Sequence, residues 1–247
     1  MEIDRRSVLV ILGGSLVLAC KSSSDDASPA DASSTDSCAT IASETSGPYP
    51  DLDNMISNAA YERSSIAEDQ TGTALKFTLS ILDSGNACAP IAGALVMVWH
   101  CNKDGVYSEY SNSMNAGSTT TTFLRGWQTS DANGDVTFTT IYPGWYSPRA
   151  THIHVEVYNP SDLTTPIKTT QFGFPDDANT AVQSQSTYKS GQTNTTTNDT
   201  DQVFGGTVTA TGDGDGGGDV NQVASVSGDV TAGYTAALDI GLTGYAA

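Results

Sequence analysis

Two histidines separated by one residue, His152 and His154, lie in a chain with only three histidines in all. In an extended strand, residues i and i+2 point to the same face. Both imidazoles would then aim at one point while Ile153 turns the other way. The run Ile153-His154-Val155-Glu156-Val157-Tyr158 supports a strand, because it is β-branched and aromatic and alternates with period two. Two imidazoles on one face are a common beginning of a metal site. The plainer reading is a surface strand with polar side chains outward. Tyr146 adds a phenol and Arg149 a fixed cation just upstream, and that density of reactive types favours the metal.

Several elements must hold this stretch. Residues 74–82 alternate, with Leu75, Phe77, Leu79 and Ile81 on one face. Residues 94–100 form a nearly continuous apolar run ending in Trp99-His100, as in a strand buried on both faces. Asp131-Ala132-Asn133-Gly134 reads as a hairpin turn leading into another alternating strand at 136–141. Residues 169–174 read as the strand after His-x-His, and 220–242 as a last pair. Short strands between turn signals predict an all-β fold: a β-sandwich of mostly antiparallel strands, immunoglobulin-like, with long loops. Residues 51–68 read as a loop with one helical turn, and the Thr/Asn/Gln-rich 184–200 as a long surface loop. In 212–219, Asp213, Asp215 and Asp219 invite a calcium reading, but the glycine spacing is not that of an EF-hand loop. A flexible hairpin tip is favoured.

Ten Lys and Arg residues face 28 Asp and Glu, a net charge of −18. Such a chain is a poor partner for nucleic acid or anionic lipid. Residues 1–20 read as a lipoprotein-type signal peptide. Arg5-Arg6 precedes an apolar stretch broken by Gly13-Gly14 and too short for an ordinary membrane span. The stretch ends in Val17-Leu18-Ala19-Cys20, which resembles a bacterial lipobox with an acylated cysteine; an ordinary signal peptide is the alternative. Arg5-Arg6-Ser7 also looks like a twin-arginine export signal, with Val8 where Phe is expected. Residues 21–37, rich in Ser, Asp and Ala, read as a disordered tether, and 38–247 as the folded domain. The expectation is an exported protein, lipid-anchored in the bacterial cell envelope, touching membrane only through that anchor. Cys38, Cys88 and Cys101 leave one pair and an odd thiol. Sequence does not fix the pair; Cys88–Cys101, flanking the buried strand, is favoured.

Further pieces fall in order along the chain. They are Gly47-Pro48-Tyr49, Cys88-Ala89-Pro90, Trp99-His100 followed by Tyr107-Ser108, and Phe123-Leu124-Arg125-Gly126. Then come Asp131-x-x-Gly134, Pro143-Gly144-x-Tyr146, Arg149-x-x-His152-x-His154 and Gln171-x-x-Phe174. In this order they resemble the intradiol ring-cleavage dioxygenases, the family of protocatechuate 3,4-dioxygenase and catechol 1,2-dioxygenase, and are most similar to its secreted or lipid-tethered branch. The resemblance spans about 47–175.

It implies a mononuclear non-haem Fe(III) held by Tyr107, Tyr146, His152 and His154. Arg149 would contact the substrate ring, Gln171 would lie in the outer shell, and Tyr146 would be displaced as a catechol binds. Tyr110 rivals Tyr107, which is preferred because it directly follows Gly105-Val106. His100 reads as structural. The donor types suit the metal, since phenolate is a hard anionic ligand and imidazole binds iron generally. The implied reaction cleaves a catechol with O2 between the two hydroxylated carbons to a muconic acid derivative, with no organic cofactor. The N-terminal helical segment of the dimeric relatives is missing and the interval from Tyr146 to Arg149 is short. This leaves substrate and oligomeric state open and suggests a more open pocket. The alternatives are a non-catalytic cell-surface β-sandwich binding module and a divalent-metal storage protein.

Overall fold

The computed structural model describes residues 38–50, 55–204 and 220–245. The signal-like segment, the tether and the Gly/Asp run at 212–219 lie outside the described residues. Nine strands are described, β1 (Ala74–Asp83), β2 (Ala89–Pro90), β3 (Leu95–Trp99), β4 (Arg125–Thr129), β5 (Asp135–Ile141), β6 (His152–Tyr158), β7 (Lys168–Gly173), β8 (Ser225–Asp229) and β9 (Gly233–Leu242). One α-helix, α1 (Asp176–Gln183), follows β7. The strands form two sheets, the all-β sandwich that the alternating runs predict.

In the first sheet β1 is central. It pairs antiparallel with β5 and, at its end, with β2 on one side, and parallel with β9 on the other; β8 closes the edge beyond β9. The second sheet has the order β4-β3-β6-β7, all antiparallel. Between the sheets Phe77, Leu79 and Ile81 of β1 meet Val96 and Val98 of β3, Ile153, Val155 and Val157 of β6, and Phe172. Phe77 stacks on Phe138 at 5.3 Å and meets Phe172 edge-on at 5.6 Å.

The second sheet is covered on its other face too. Leu95, Met97 and Trp99 pack there with Tyr49, Met55, Ile56, Tyr61 and Tyr107. Every residue of β3 and β6 is therefore buried. For β3 this is the double burial its unbroken apolar run predicts. For β6 the alternation divides two buried surfaces, one apolar and one carrying the histidines. The covering segment holds two 3₁₀ turns, Met55–Ser57 and Ala59–Tyr61, where one helical turn was expected; the Asn58 side chain caps the second at 3.0 Å from Ala60 N.

Three expectations need correction. The Asp131–Gly134 turn is tight, with Asp131 Oδ1 accepting from Asn133 N and Asp135 N and Gly134 at φ +79°. It is not a hairpin, because β4 pairs with β3 while β5 crosses to β1 in the other sheet. A turn signal specifies the bend and not the partner of the strand that follows. The disulfide joins Cys38 to Cys88, leaving Cys101 free and buried. Cys88 and Cys101 bracket extended β3 and sit at its opposite ends. Cys38 lies in the segment that bridges to β9 through Thr40 and Gly241. Residues 184–200 are not a plain surface loop either. Tyr188 is fully buried, donates to Tyr142 O at 2.8 Å and accepts from Thr73 N at 2.9 Å.

Candidate metal centre

Strand register assembles one wall of the site. Arg125 of β4, Trp99 of β3, His154 of β6 and Gln171 of β7 are successive cross-strand partners, a single row across the second sheet. Paired residues share a face, so the row projects away from the apolar core. The Trp99 and His154 rings stack at 4.7 Å and 3°. On the other flank of His154 a Cβ at Gly47 would come within 2.6 Å of the ring. Glycine there lets the backbone close on the imidazole.

His152 lies two residues earlier on the same face. Its Nδ1 donates to Ala150 O at 2.6 Å, which fixes the tautomer and leaves Nε2 as a lone pair. Tyr107 comes from the loop after β3. Asn115 pins it by accepting from Tyr107 N at 2.8 Å and donating to Tyr107 O at 2.9 Å. The turn from Tyr146 to Arg149 contains a cis Ser147–Pro148 peptide and is closed by Arg149 N donating to Tyr146 O at 2.8 Å. The Tyr107 and Tyr146 loops touch at Gly105, φ +81°, where a Cβ would run into the Trp145 carbonyl.

The four heteroatoms converge. Tyr107 Oη lies 3.1 Å from His154 Nε2 and 3.4 Å from His152 Nε2, Tyr146 Oη lies 3.3 Å from His152 Nε2, and the two Nε2 atoms are 3.2 Å apart. Four donors about 2.0 Å from a shared ion would stand about 3.3 Å apart in a tetrahedral set. Tyr107, His152 and His154 are buried, whereas Tyr146 is half-buried and marks the open side. Tyr110 does not join them; its hydroxyl donates to Pro50 O at 2.7 Å. His100 is taken up elsewhere, between Cys101 O and the Thr140 hydroxyl.

Burial sets the protonation of the set. It holds the Tyr107 phenol well above its ordinary value, helped by Tyr146. It pushes Tyr146 up to about 12 against the opposing pull of Arg149. His152 is held well below the usual imidazole range by burial and then Arg149, and His154 by burial and then His152. Without a cation the four groups are therefore neutral, two phenols and two imidazoles. The set can take a highly charged metal that draws the phenol protons off. Cys101 is no rival donor, since burial pushes its thiol up to about 12. Among the described residues no group of three or more His, Cys, Asp or Glu side chains gathers as a metal site, so a metal here depends on the tyrosines.

Arg149 is buried beside this cluster. Its Nε donates to both oxygens of Asp201 at 3.1 and 3.0 Å, and its Nη2 to Gln171 Oε1 at 2.7 Å. Gln171 Nε2 in turn donates to Thr45 O at 2.6 Å. Every residue expected at the site is thus within this one neighbourhood. The sequence reading missed Asp201, a fully buried carboxylate, and Phe204, whose ring lies 6.4 Å from that of His152. A single acid at the end of a polar, aperiodic stretch carries no local signal.

The chain's relatives share this fold. Solved structures similar to it include the following three. An intradiol ring-cleavage dioxygenase from Tetranychus urticae is 24% identical, with TM-score 0.69, over 83% of this chain and 95% of that one. The dioxygenase domain of a carbohydrate-binding fusion protein from a cellulolytic Streptomyces is 21% identical, with TM-score 0.54, over 85% and 100%. The 3-chlorocatechol 1,2-dioxygenase of Rhodococcus opacus is 18% identical, with TM-score 0.51, over 82% and 72%. At these identities the likeness is one of fold. No curated protein sequence matches the chain. The family model described as dioxygenase matches residues 47–202, which span both sheets' central strands and the converging donors. The chain belongs to the intradiol ring-cleavage dioxygenase family.

Proposed function

We propose that this protein is an Fe(III)-dependent intradiol dioxygenase that cleaves a catechol with O2 between its two hydroxylated carbons, giving a muconic acid derivative. The observation that carries the reading is the convergence of two phenol oxygens and two imidazole nitrogens, with separations of 3.1 to 3.4 Å, beside a buried arginine. Tyr107, Tyr146, His152 and His154 would hold the iron, which supplies Lewis acidity to lower the catechol pKa values and an electron-accepting centre that activates the ring toward O2.

The chain's own residues do the rest. Tyr107, fully buried and pinned by Asn115, is the permanent phenolate. Tyr146, on the open side, can swing away, and its Oη is the atom placed to take a proton from an incoming catechol hydroxyl. Arg149 stabilises negative charge developing on the ring through a cation that is already in position. Gln171 holds Arg149 Nη2 in place. Trp99 and Gly47 cover the His154 ring and keep water from that side.

The test is reconstitution. Purified protein given ferric iron should turn wine-red from tyrosinate charge transfer, the band should shift with catechol, and oxygen uptake should appear with catechol, protocatechuate, hydroxyquinol or an alkylcatechol. A colourless protein that binds no iron sinks the reading. Tyr107→Phe should lose iron or colour and at least about 10²-fold in turnover while the fold survives. Persisting colour and ring cleavage in that variant would unseat Tyr107.

The reading includes export to the cell envelope with Cys20 lipidated. Its support is the signal-like sequence of residues 1–20 together with the Cys38–Cys88 disulfide, a bond characteristic of oxidising compartments. Metabolic labelling with a tagged fatty acid should mark the protein and fail in Cys20→Ser.

A further inference from the structure

We infer that Asp201 is the positioning partner of Arg149 and that, by matching its charge, it tunes the site for catechols without an anionic ring substituent. The inference rests on the proposed reading of Arg149 as the cation beside the substrate.

Asp201 is fully buried, and its carboxylate is turned toward the site. Its carboxylate accepts from Arg149 Nε through both oxygens, from the Ala150 N–H, from Val203 N at 2.7 Å and from Phe204 N at 3.2 Å. Ala150 is the residue whose carbonyl receives the Nδ1 proton of His152. One carboxylate thus fixes the arginine, the peptide that orients His152, and the turn carrying Phe204. The Phe204 ring meets His152 edge-on and lies 5.7 Å from the Arg149 guanidinium.

The same contact settles the charge. Arg149 Nη2 is held by Gln171, and Nη1 has no partner among the described residues. The nitrogen left for a ligand therefore belongs to a guanidinium whose charge is already matched. Among the described residues, buried Arg125 is paired with Glu109 at 3.3 Å, and Lys189 is held over the Trp145 ring at 4.3 Å. Residues 51–54 and 205–219 contain no Lys or Arg, and the chain's net charge is −18. A ring carboxylate beside Arg149 would lose its hydration against a guanidinium whose charge is already matched, whereas an uncharged ring bears no such cost.

Asp201→Asn keeps the size of the side chain and one acceptor oxygen, and removes its charge by turning the other oxygen into an NH2 donor. The iron-loaded protein is titrated by calorimetry without O2, with catechol and with 3,4-dihydroxybenzoate, so that binding is read apart from turnover. The wild type should bind catechol at least about tenfold more tightly, and Asp201→Asn should shrink that preference about tenfold by strengthening the carboxylated ligand. A role confined to folding would weaken both ligands together and leave the ratio alone. Equal or tighter binding of 3,4-dihydroxybenzoate by the wild type overturns the inference, as does an unchanged ratio in a folded Asn variant. If the variant does not fold, the wild-type ratio decides. A wild type that takes up iron and binds both ligands equally well overturns this inference and leaves the proposed function standing; one that takes up neither iron nor ligand overturns both.

Discussion

At the scale of single residues, burial does more than proximity to set chemical state. His100 shows it away from the site. It is fully buried, Nδ1 donates to Cys101 O at 2.8 Å and Nε2 accepts from the Thr140 hydroxyl at 2.9 Å, so the neutral ring satisfies both neighbours. Burial pushes its pKa down to about 4. Below pH 6.5 the unfolded chain takes up a proton that the folded chain refuses. Stability therefore falls as pH drops from 6.5 to 4 and levels off below that. For this one group the loss is on the order of 3 kcal/mol. Urea denaturation of wild type and His100→Asn at pH 7 and pH 4 should show the wild type losing that much more than the variant. An equal loss in both would mean that His100 is not the proton-linked group. At the site the same physics keeps Tyr107 and Tyr146 protonated and the two imidazoles neutral until a cation arrives.

At the scale of elements, the donors come from places that tolerate different amounts of movement. His152 and His154 ride on β6, flanked by β3 and β7 and buried on both faces. Tyr107 and Tyr146 come from loops, and the loops are locked to each other at Gly105. The positive φ and the contact with Trp145 leave no room there for a side chain. Gly105→Ala should cost on the order of 1–3 kcal/mol of stability and separate the two phenols, so iron affinity should fall while the strand-borne histidines stay in place. Equilibrium unfolding and an iron-competition titration check the two effects. Unchanged affinity would show that the loops adjust independently. The Tyr146 loop is tied down again where Trp145 Nε1 donates to Gln192 O at 3.1 Å and Lys189 lies over its ring.

At the scale of the whole molecule, the sandwich closes on a parallel pair, β1 with β9, made by distant parts of the chain. The Cys38–Cys88 disulfide ties the segment before the first sheet to the turn after β1 across 50 residues of sequence. Constraining the unfolded chain over such a loop is worth about 2–4 kcal/mol. Reduction, or Cys88→Ser, should lower the unfolding free energy by that amount without changing the colour of the iron-loaded protein, because the bond lies at the first sheet and the metal donors at the second. A loss of colour on reduction would mean that the two sheets are coupled more tightly than their packing indicates. The free thiol of Cys101, buried with Trp99 and Tyr107, should resist alkylation until the protein unfolds.

The sequence by itself determined most of the strands, though not β2 or β4, and the family. Period-two alternation marks β1, β5 and β6, an unbroken apolar run marks β3, and the ordered motifs place Tyr107, Tyr146, His152, His154, Arg149 and Gln171 on strand ends and turns. These signals are local, because a strand's own residues record which face is buried. Only the tertiary structure decided pairings between distant segments. It sent β5 to the other sheet after a tight turn, matched Cys88 with Cys38, buried Tyr188 and brought Asp201 under Arg149 from 52 residues away. Such contacts depend on where two pieces of backbone meet in space. An aspartate in a run of Thr and Asn looks the same in the sequence whether it faces water or neutralises an arginine beside a metal centre.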